Sequence, residues 1–215
     1  MSIKIHVLTA SKDIKLHAGA LKLVAKSATT LVKKLLPIKD VDIVFYYNPG
    51  ATFSEDEIGG IGGFTPNAHT VLISLNPKHA NFKNSLKNQL LFTLVHELHH
   101  TIRWQKPVEG DTLLEAMIFE GLADHFVQEV TGRKRPSPWS LALTSEQKKV
   151  FLKKAREEWD KPTYDNNLWF FGSRPDVIPR WTGYTLGYDL VARYLNKNPD
   201  KKASSLVCED ATVFI

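Results

Sequence analysis

The segment FTLVHELHHTIRW, residues 92–104, constrains this chain more than any other feature. It places His96, Glu97, His99 and His100 inside an otherwise apolar run. Helices that pack into a protein core rarely contain so many ionisable groups, because each polar group that is buried without a partner costs several kcal/mol. A fold that contains this segment must therefore provide these side chains with partners.

Helical spacing indicates which of these side chains act together. Residues four positions apart on an α-helix lie about 40° apart around its axis, so His96 and His100 share one face. Glu97 is adjacent to His96 and can lean toward whatever the two imidazoles hold. This H-E-x-x-H arrangement is typical of two neutral imidazoles on one metal ion with the glutamate as general base. We interpret His99, on the other side of His96, as a flanking polar residue without a ligand role.

A catalytic zinc site needs a third protein ligand, and without one the alternative is a helix with satisfied histidines near the surface. The following predicted helix, GDTLLEAMIFEGLADHF, offers a candidate. Thr112 and Glu115 form the T-x-x-E pattern of a capping box, which predicts that Glu115 is engaged at the helix start. Glu120 lies in the middle of the helix among apolar residues, where an unpaired charge is costly. We therefore predict Glu120 as the third ligand.

Two neighbours of Glu120 fit the same interpretation. Asp124 lies one turn later and is suited to accept a hydrogen bond from the ligating imidazole of His96. Gly121 costs about 1 kcal/mol in helix propensity, which a close approach between helices at a metal site would explain. Nineteen residues separate His100 from Glu120, enough to end one helix, turn through residues 104–111 and return antiparallel.

Hydrophobic periodicity predicts an α+β organisation: a small N-terminal sheet with a long helix, followed by a helical C-terminal part that carries the HExxH helix. A glycine-rich loop, EIGGIGGFTPNAHT, precedes the third strand. The predicted strands are residues 3–9, 41–47 and 71–75. The predicted helices are residues 16–36, 85–103, 113–131, 145–159 and 183–196, with a connection over residues 160–182.

Composition excludes several other classes. The formal charge is +5, but the lysines are spread along helical patterns and no nucleic-acid-binding signature accompanies them, so we expect solvated helix faces and no nucleic-acid partner. Cys208 is the only cysteine, which excludes an internal disulfide and a cysteine zinc cluster. No apolar run is long enough to cross a bilayer, and the first residues do not resemble a signal peptide. We expect a cytoplasmic protein without membrane contact.

The motifs also resemble a known family. HELHH, followed after 19 residues by EGLAD, is similar to the thermolysin-like gluzincins. More closely, LVHELHHTIRW, TLLEAMIFEGLADHF and WTGYTLGYDLVARYL resemble the bacterial predicted zinc-dependent protease family of YjaZ type, over about residues 58–195. The resemblance implies one zincin-like metallopeptidase domain over residues 1–215, with an α/β sub-lobe (1–83) and a helical sub-lobe with the metal site (84–215).

Carried over to these positions, the resemblance implies one Zn²⁺ per chain. Its ligands would be His96, His100 and Glu120, with Glu97 as the catalytic glutamate and Asp124 as a partner behind the ligands. The expected reaction is hydrolysis of a peptide bond in a peptide or protein substrate. Residues 69–75 are expected to form the edge strand along which an extended substrate lies.

Thermolysin-type gluzincins also use a late histidine to stabilise the transition state, but no histidine follows His125. Tyr184 and Tyr188, one helical turn apart and near Arg180, are our candidates for that role. The alternative for both tyrosines is packing of the last helix against the core.

Two other functions remain possible from the sequence alone. The first is a di-iron carboxylate helix bundle, since Glu97 and His100 also form E-x-x-H, although Ala123 stands where a second copy of that motif would need a histidine. The second is a non-catalytic binding protein in which zinc only joins two helices. Closed structural zinc sites usually have four protein ligands, so a ligating glutamate beside an unused one favours an open, catalytic site.

Overall fold

The computed structural model describes residues 2–55, 58–106 and 112–215, and its contacts divide the chain into two compact units, Met1–Gln105 and Lys106–Ile215. This boundary differs from the sub-lobe boundary predicted after residue 83. The HExxH helix belongs to the first unit, because it packs against the sheet and the long helix of that unit. Whether the chain is one domain, as the sequence predicts, stays a prediction.

The first unit contains a four-stranded mixed sheet, which together with the helices confirms the α+β class. In this sheet β1, β2 and β4 run parallel, and β3 pairs antiparallel with β4 at one edge, in the order β1-β2-β4-β3. Residues of β2 alternate between buried and more exposed positions, as expected for a strand with one face against a core. The strands are β1 (Ile3–Val7), β2 (Val41–Tyr47), β3 (Ile61–Asn67) and β4 (Thr70–Leu75).

Two sequence predictions about this sheet are wrong. The glycine-rich segment, predicted as a loop, contains the strand β3. The strand β4, predicted as the edge that receives an extended substrate, is internal, because it pairs with β2 on one side and β3 on the other. Glycine and proline are depleted in strands, so Gly62, Gly63 and Pro66 conceal β3 in the sequence. Among the described strands, β3 and β1 form the two edges.

The helices of the first unit lie on this sheet. They are α1 (Lys12–Lys15), α2 (Ala18–Val32), α3 (Phe82–Asn88) and α4 (Leu90–Arg103). The apolar stripe of α2, formed by Leu21, Ala25, Ala28 and Val32, is buried, and α2 contacts both β1 and α4. The helix predicted over residues 85–103 is two helices, with Gln89 as the C-cap of α3 and the N-cap of α4.

The second unit is helical, with α5 (Leu113–Thr131), α6 (Ser145–Arg156) and α7 (Thr182–Lys197) as its main elements. The predicted bounds of α5 are confirmed. A Cβ atom built on Gly121 of α5 would lie 2.4 Å from backbone atoms of Gly187 in α7, so only glycine permits this approach. The mid-helix glycine therefore allows close packing between helices, and the partner helix is α7. The predicted approach at the metal site stays a prediction.

The connection over residues 160–182 is partly ordered into a π-helical turn, Asn167–Phe171, in which Leu168, Trp169 and Phe170 are buried. Trp169 and Phe170 thus contribute to the core of the second unit, whereas Phe171 is exposed. Within the described ranges, no helix combines the length and the apolar character needed to cross a membrane.

Candidate functional site

The helix α4 carries four ionisable side chains within five positions, His96, Glu97, His99 and His100, and all four are buried. The exposed fractions are 7% for His96 and Glu97, 0% for His99 and 3% for His100. The imidazole rings of His96 and His100 lie with their centroids 4.5 Å apart in an edge-to-face arrangement. The predicted pair of histidines on one helix face is thus present.

The carboxylate of Glu97 is held by the edge strand β3. Thr65 donates a hydrogen bond from Oγ1 to Glu97 Oε2 (2.7 Å), and the same hydroxyl lies 3.1 Å from the backbone carbonyl oxygen of Glu97. The side chain of Glu97 also lies directly against Gly63, where an added Cβ would come within 2.4 Å of Oε1 and 2.8 Å of Cγ and Cδ. The hydrogen bond from Thr65 and the contact with Gly63 restrict the orientation of this carboxylate.

The sequence reasoning missed both Thr65 and Gly63, because it placed them in a loop. Once β3 is known, its period of two puts these residues on the same face of the sheet, opposite to the exposed Phe64. One signal in the sequence pointed to this strand: Phe64 and Thr65 favour strands, and they lie a short turn away from the predicted strand that begins at residue 71.

On α5, the two glutamates have different surroundings. The hydroxyl of Thr112 accepts a hydrogen bond from the backbone N–H of Glu115 (3.2 Å), which confirms the predicted N-cap, and Lys106 Nζ donates to Glu115 Oε2 (3.2 Å). Glu115 is therefore occupied at the helix start. Glu120, five residues further along α5, is half-buried. The predicted turn before this helix falls partly on residues 107–111, outside the described residues.

Asp124 is buried, with 3% of its surface exposed, and accepts hydrogen bonds from three residues that follow α5. Ser137 Oγ donates to Oδ1 (3.3 Å), and Trp139 Nε1 donates to Oδ2 (2.7 Å), as does the hydroxyl of Ser140. These bonds fix the carboxylate relative to the 3₁₀ turn Pro138–Leu141. The predicted role of Asp124 in orienting His96 stays a prediction.

Three of the predicted residues meet the requirement for a metal ligand set. His96, His100 and Glu120 each offer one ligand atom, and these atoms all lie within 4.8 Å of one another. Two imidazoles and one carboxylate are ligand types that catalytic zinc sites use, and three protein ligands keep a fourth coordination position for water or substrate. The chemistry of this donor set therefore fits zinc.

The two tyrosines proposed for the transition state lie on α7 in different surroundings. Tyr188 stacks on His125, with ring centroids 4.1 Å apart, and its hydroxyl donates to Gln128 Oε1 (2.8 Å). The ring of Tyr184 packs against Phe170 and Trp139. These ring contacts are those expected from the packing interpretation, and a catalytic role for either tyrosine stays a prediction.

Burial shifts the ionisation of the stacked pair on α5 and α7. It lowers the pKa of His125 from the ordinary 6.5, and the hydrogen bond from Nε2 to the carbonyl of Tyr188 and the charge of Asp124 oppose that effect. Burial also raises the pKa of the Tyr188 phenol, with a further contribution from Asp124. Both side chains are thus held in their neutral forms near pH 7.

Comparison with known proteins bears on these features. The model of the family described as predicted Zn-dependent protease (DUF2268) matches residues 21–215. The chain belongs to this family. The resemblance stated from the sequence is therefore confirmed. The matched region includes His96, Glu97, His100 and Glu120.

Two relatives come from Bacillus subtilis (strain 168). The uncharacterized protein YjaZ is 31% identical over 119 residues, which are 53% of this chain and 45% of YjaZ. The uncharacterized protein YjfC is 24% identical over 156 residues, 65% of this chain and 47% of YjfC. The chain thus spans about half the length of the curated relatives it matches. No solved structure matches it significantly.

Proposed function

We propose that this protein is a zinc-dependent peptidase in which His96, His100 and Glu120 hold one Zn²⁺ and Glu97 is the general base. The observation that carries the proposal is the ligand set of two histidines and one glutamate, with Glu97 next to His96 in the chain. The family description, predicted Zn-dependent protease, supports the same reaction class.

The proposed chemistry divides between the metal and the protein. Zinc bound at this set would polarise the carbonyl of the scissile peptide bond and lower the pKa of an attacking water toward about 7. Glu97 would accept the proton of that water and deliver it to the leaving amine. A general base must keep its carboxylate in one place to do both, and the contacts of Glu97 with Thr65 and Gly63 provide that restriction.

The strand β3 is the proposed binding site for the substrate. It is an edge strand and lies against α4, close to Glu97. The carbonyl oxygens of Ile61 and Thr65 already accept hydrogen bonds from Phe53 N–H and Trp104 Nε1, so an extended peptide would pair with the remaining backbone groups of this edge. Pairing through the backbone would tolerate many substrate sequences. The proposed partner is accordingly a peptide or protein substrate, without nucleic acid.

The first test is metal content measured together with hydrolysis. We expect one zinc per chain after exhaustive dialysis, and cleavage of casein or a quenched fluorescent peptide that stops on chelation and returns with Zn²⁺. His96→Ala and His100→Ala should each abolish both zinc loading and cleavage, because each removes one of only three protein ligands. His99→Ala is the matched control on the same helix and should retain most of the zinc, although the loss of a fully buried side chain will lower the melting temperature.

The outcomes separate the competing functions. One zinc per chain without any cleavage would favour the non-catalytic zinc-binding alternative. Iron at two per chain would favour the di-iron carboxylate alternative. A site emptied by His99→Ala but not by His100→Ala, in proteins with native circular dichroism, would contradict the ligand set.

A further inference from the structure

We propose that Thr65 is a positioning residue for Glu97. We also propose that Gly63, which has no side chain, leaves the space that the Glu97 carboxylate occupies when it accepts the hydrogen bond from Thr65. This inference rests on the proposed function of Glu97 as general base. It assigns the orientation of that base to the edge strand β3, and so makes β3 part of the catalytic machinery as well as a surface for substrate.

The local geometry of β3 brings the hydroxyl to the carboxylate. Between Phe64 and Asn67 the register of β3 against β4 shifts by one residue, so that Thr65 and Pro66 together oppose Val71. Such a bulge re-aims side chains and is frequent at sheet edges and next to active sites. Here the side chain of Thr65 is buried, with 4% exposed, and points at a carboxylate that is itself 93% buried.

A second contact fixes the backbone of the same residue. Trp104, which follows α4, donates a hydrogen bond from Nε1 to the carbonyl oxygen of Thr65 (2.8 Å). Thr65 is thus linked to Glu97 through its side chain and to the end of α4 through its backbone. With the backbone of Thr65 fixed in this way, rotation about χ1 is the remaining motion that would take the hydroxyl away from Glu97 Oε2.

Gly63 closes the other side of the carboxylate. It lies on the same face of β3 as Thr65, and any side chain at this position would overlap Glu97 Oε1, Cγ and Cδ. Glycine is therefore required by the close approach of the glutamate. Thr65 donates a hydrogen bond to the Glu97 carboxylate, and Gly63 leaves room for it. Together they define one position of the proposed general base.

The test removes the hydroxyl while keeping the shape of the side chain. Thr65→Val should lower kcat on the order of 10- to 100-fold, the range expected when a reacting group is misplaced by a fraction of an ångström to about 1 Å. KM and zinc content should be unchanged, because the substitution removes only a hydroxyl that points at Glu97 and leaves the backbone of β3 and the proposed ligands in place. Thr65→Ser keeps the hydroxyl donor and should therefore retain most of the turnover. If Thr65 acted only through its shape, Thr65→Val would be the less damaging of the two substitutions.

Ser74→Ala is the matched control. Ser74 is a buried residue in the neighbouring strand β4, and its hydroxyl donates to the backbone carbonyl oxygens of Ala51 and Gly62, without contact to Glu97. Its loss should lower the melting temperature and leave kcat unchanged. If Thr65→Val proves too unstable to purify, Thr65→Ala removes the same hydroxyl and is judged by the same criteria.

A double-mutant cycle with Glu97→Gln completes the experiment. Because Thr65 acts through Glu97, Thr65→Val should add little to the defect of Glu97→Gln. Wild-type kcat in Thr65→Val, or an equal further loss in the Glu97→Gln background, would overturn the positioning role. Full activity in Glu97→Gln would instead overturn the proposed function, so the two failures are distinguishable.

Discussion

Two buried acidic residues, Glu97 on α4 and Asp124 on α5, are held in different ways. The carboxylate of Asp124 accepts hydrogen bonds from Ser137, Trp139 and Ser140, all within one short segment that follows its helix. Glu97 accepts a bond from Thr65, which lies 32 positions earlier in the chain on an edge strand, and has glycine against its other side.

This difference fits the roles proposed for the two residues, with Asp124 as an anchor for a neighbouring segment and Glu97 as the general base. Three donors from one segment tie that segment to α5, and the cost of burying the charge of Asp124 is met by local hydrogen bonds. Glu97 is restrained in position by a distant strand. Substitution of Asp124 should therefore act mainly on stability, and substitution of Glu97 mainly on turnover.

The strongest test of that contrast is Asp124→Ala. It leaves three buried donors without their acceptor, so we expect the free energy of unfolding to fall by about 3 to 5 kcal/mol. Urea unfolding of the metal-free protein measures this without a contribution from bound zinc. Glu97→Gln, measured in parallel, should stay within about 1 kcal/mol of the wild type. Similar losses in both variants would remove the distinction between anchor and base.

The two tyrosines on α7 extend the contrast from carboxylates to hydroxyl groups. Tyr188→Phe loses its hydrogen bond to Gln128, so we expect a loss of about 1 kcal/mol in stability and nearly unchanged kcat. Tyr184→Phe should lower kcat by about 10²- to 10³-fold if its hydroxyl supports the oxyanion. Steady-state kinetics on both variants decide this. Two variants with wild-type kcat would remove α7 from the chemistry and leave Arg180 as the next candidate.

A third acidic residue, Glu120, provides a comparison within one helix. Glu120→Gln weakens a proposed ligand and should lower zinc affinity at least about 10-fold, with a parallel loss of rate. Glu115→Gln changes a carboxylate on the same helix that already pairs with Lys106, and should keep full zinc affinity. Competition with a fluorescent zinc chelator measures both. Equal zinc affinities in the two variants would contradict the assignment of Glu120.

The smallest effect concerns His125, close to Asp124. Burial lowers the pKa of His125 below its ordinary 6.5, so the unfolded chain binds this proton more readily than the folded protein. The stabilising contribution of the neutral imidazole is therefore complete above pH 6.5 and decreases as the pH falls toward the folded-state pKa. His125→Gln cannot titrate, and its melting temperature should fall less between pH 7 and pH 5 than that of the wild type. Parallel curves would contradict the shift.

Much of this arrangement could be predicted from sequence because it depends on helices with strong local signals. Thr112 is the N-cap of α5, and Gly132, with its backbone in the left-handed conformation, is the C-cap. The predicted and observed bounds of this helix agree. The pairing of His96 with His100 follows from the helical period alone. Gly121 was recognised as a site of close helix packing because glycine in mid-helix is unfavourable without such a reason.

The strand β3 was not predicted, because the signals against a strand outnumber the two residues, Phe64 and Thr65, that favour one. Its glycines lower the strand propensity, yet Gly63 is needed because Glu97 occupies the space of a side chain. Pro66 suggests a turn, yet it is accommodated at the bulge of an edge strand. Contacts between residues distant in the chain decide both cases. The strand propensities of single residues therefore do not predict β3, the strand that contacts the proposed general base.

The central claim is tested most directly by the hydrolysis rate and zinc content of Glu97→Gln, measured on the same preparation. The amide is nearly isosteric with the carboxylate and is not a proposed ligand, so one zinc per chain should remain. It cannot accept a proton from the attacking water, so peptide hydrolysis should fall by about 10²- to 10⁴-fold. Full activity in this variant would contradict the mechanism whatever its zinc content. Loss of zinc from Glu97→Gln with retention in Glu120→Gln would show that ligand and base are exchanged.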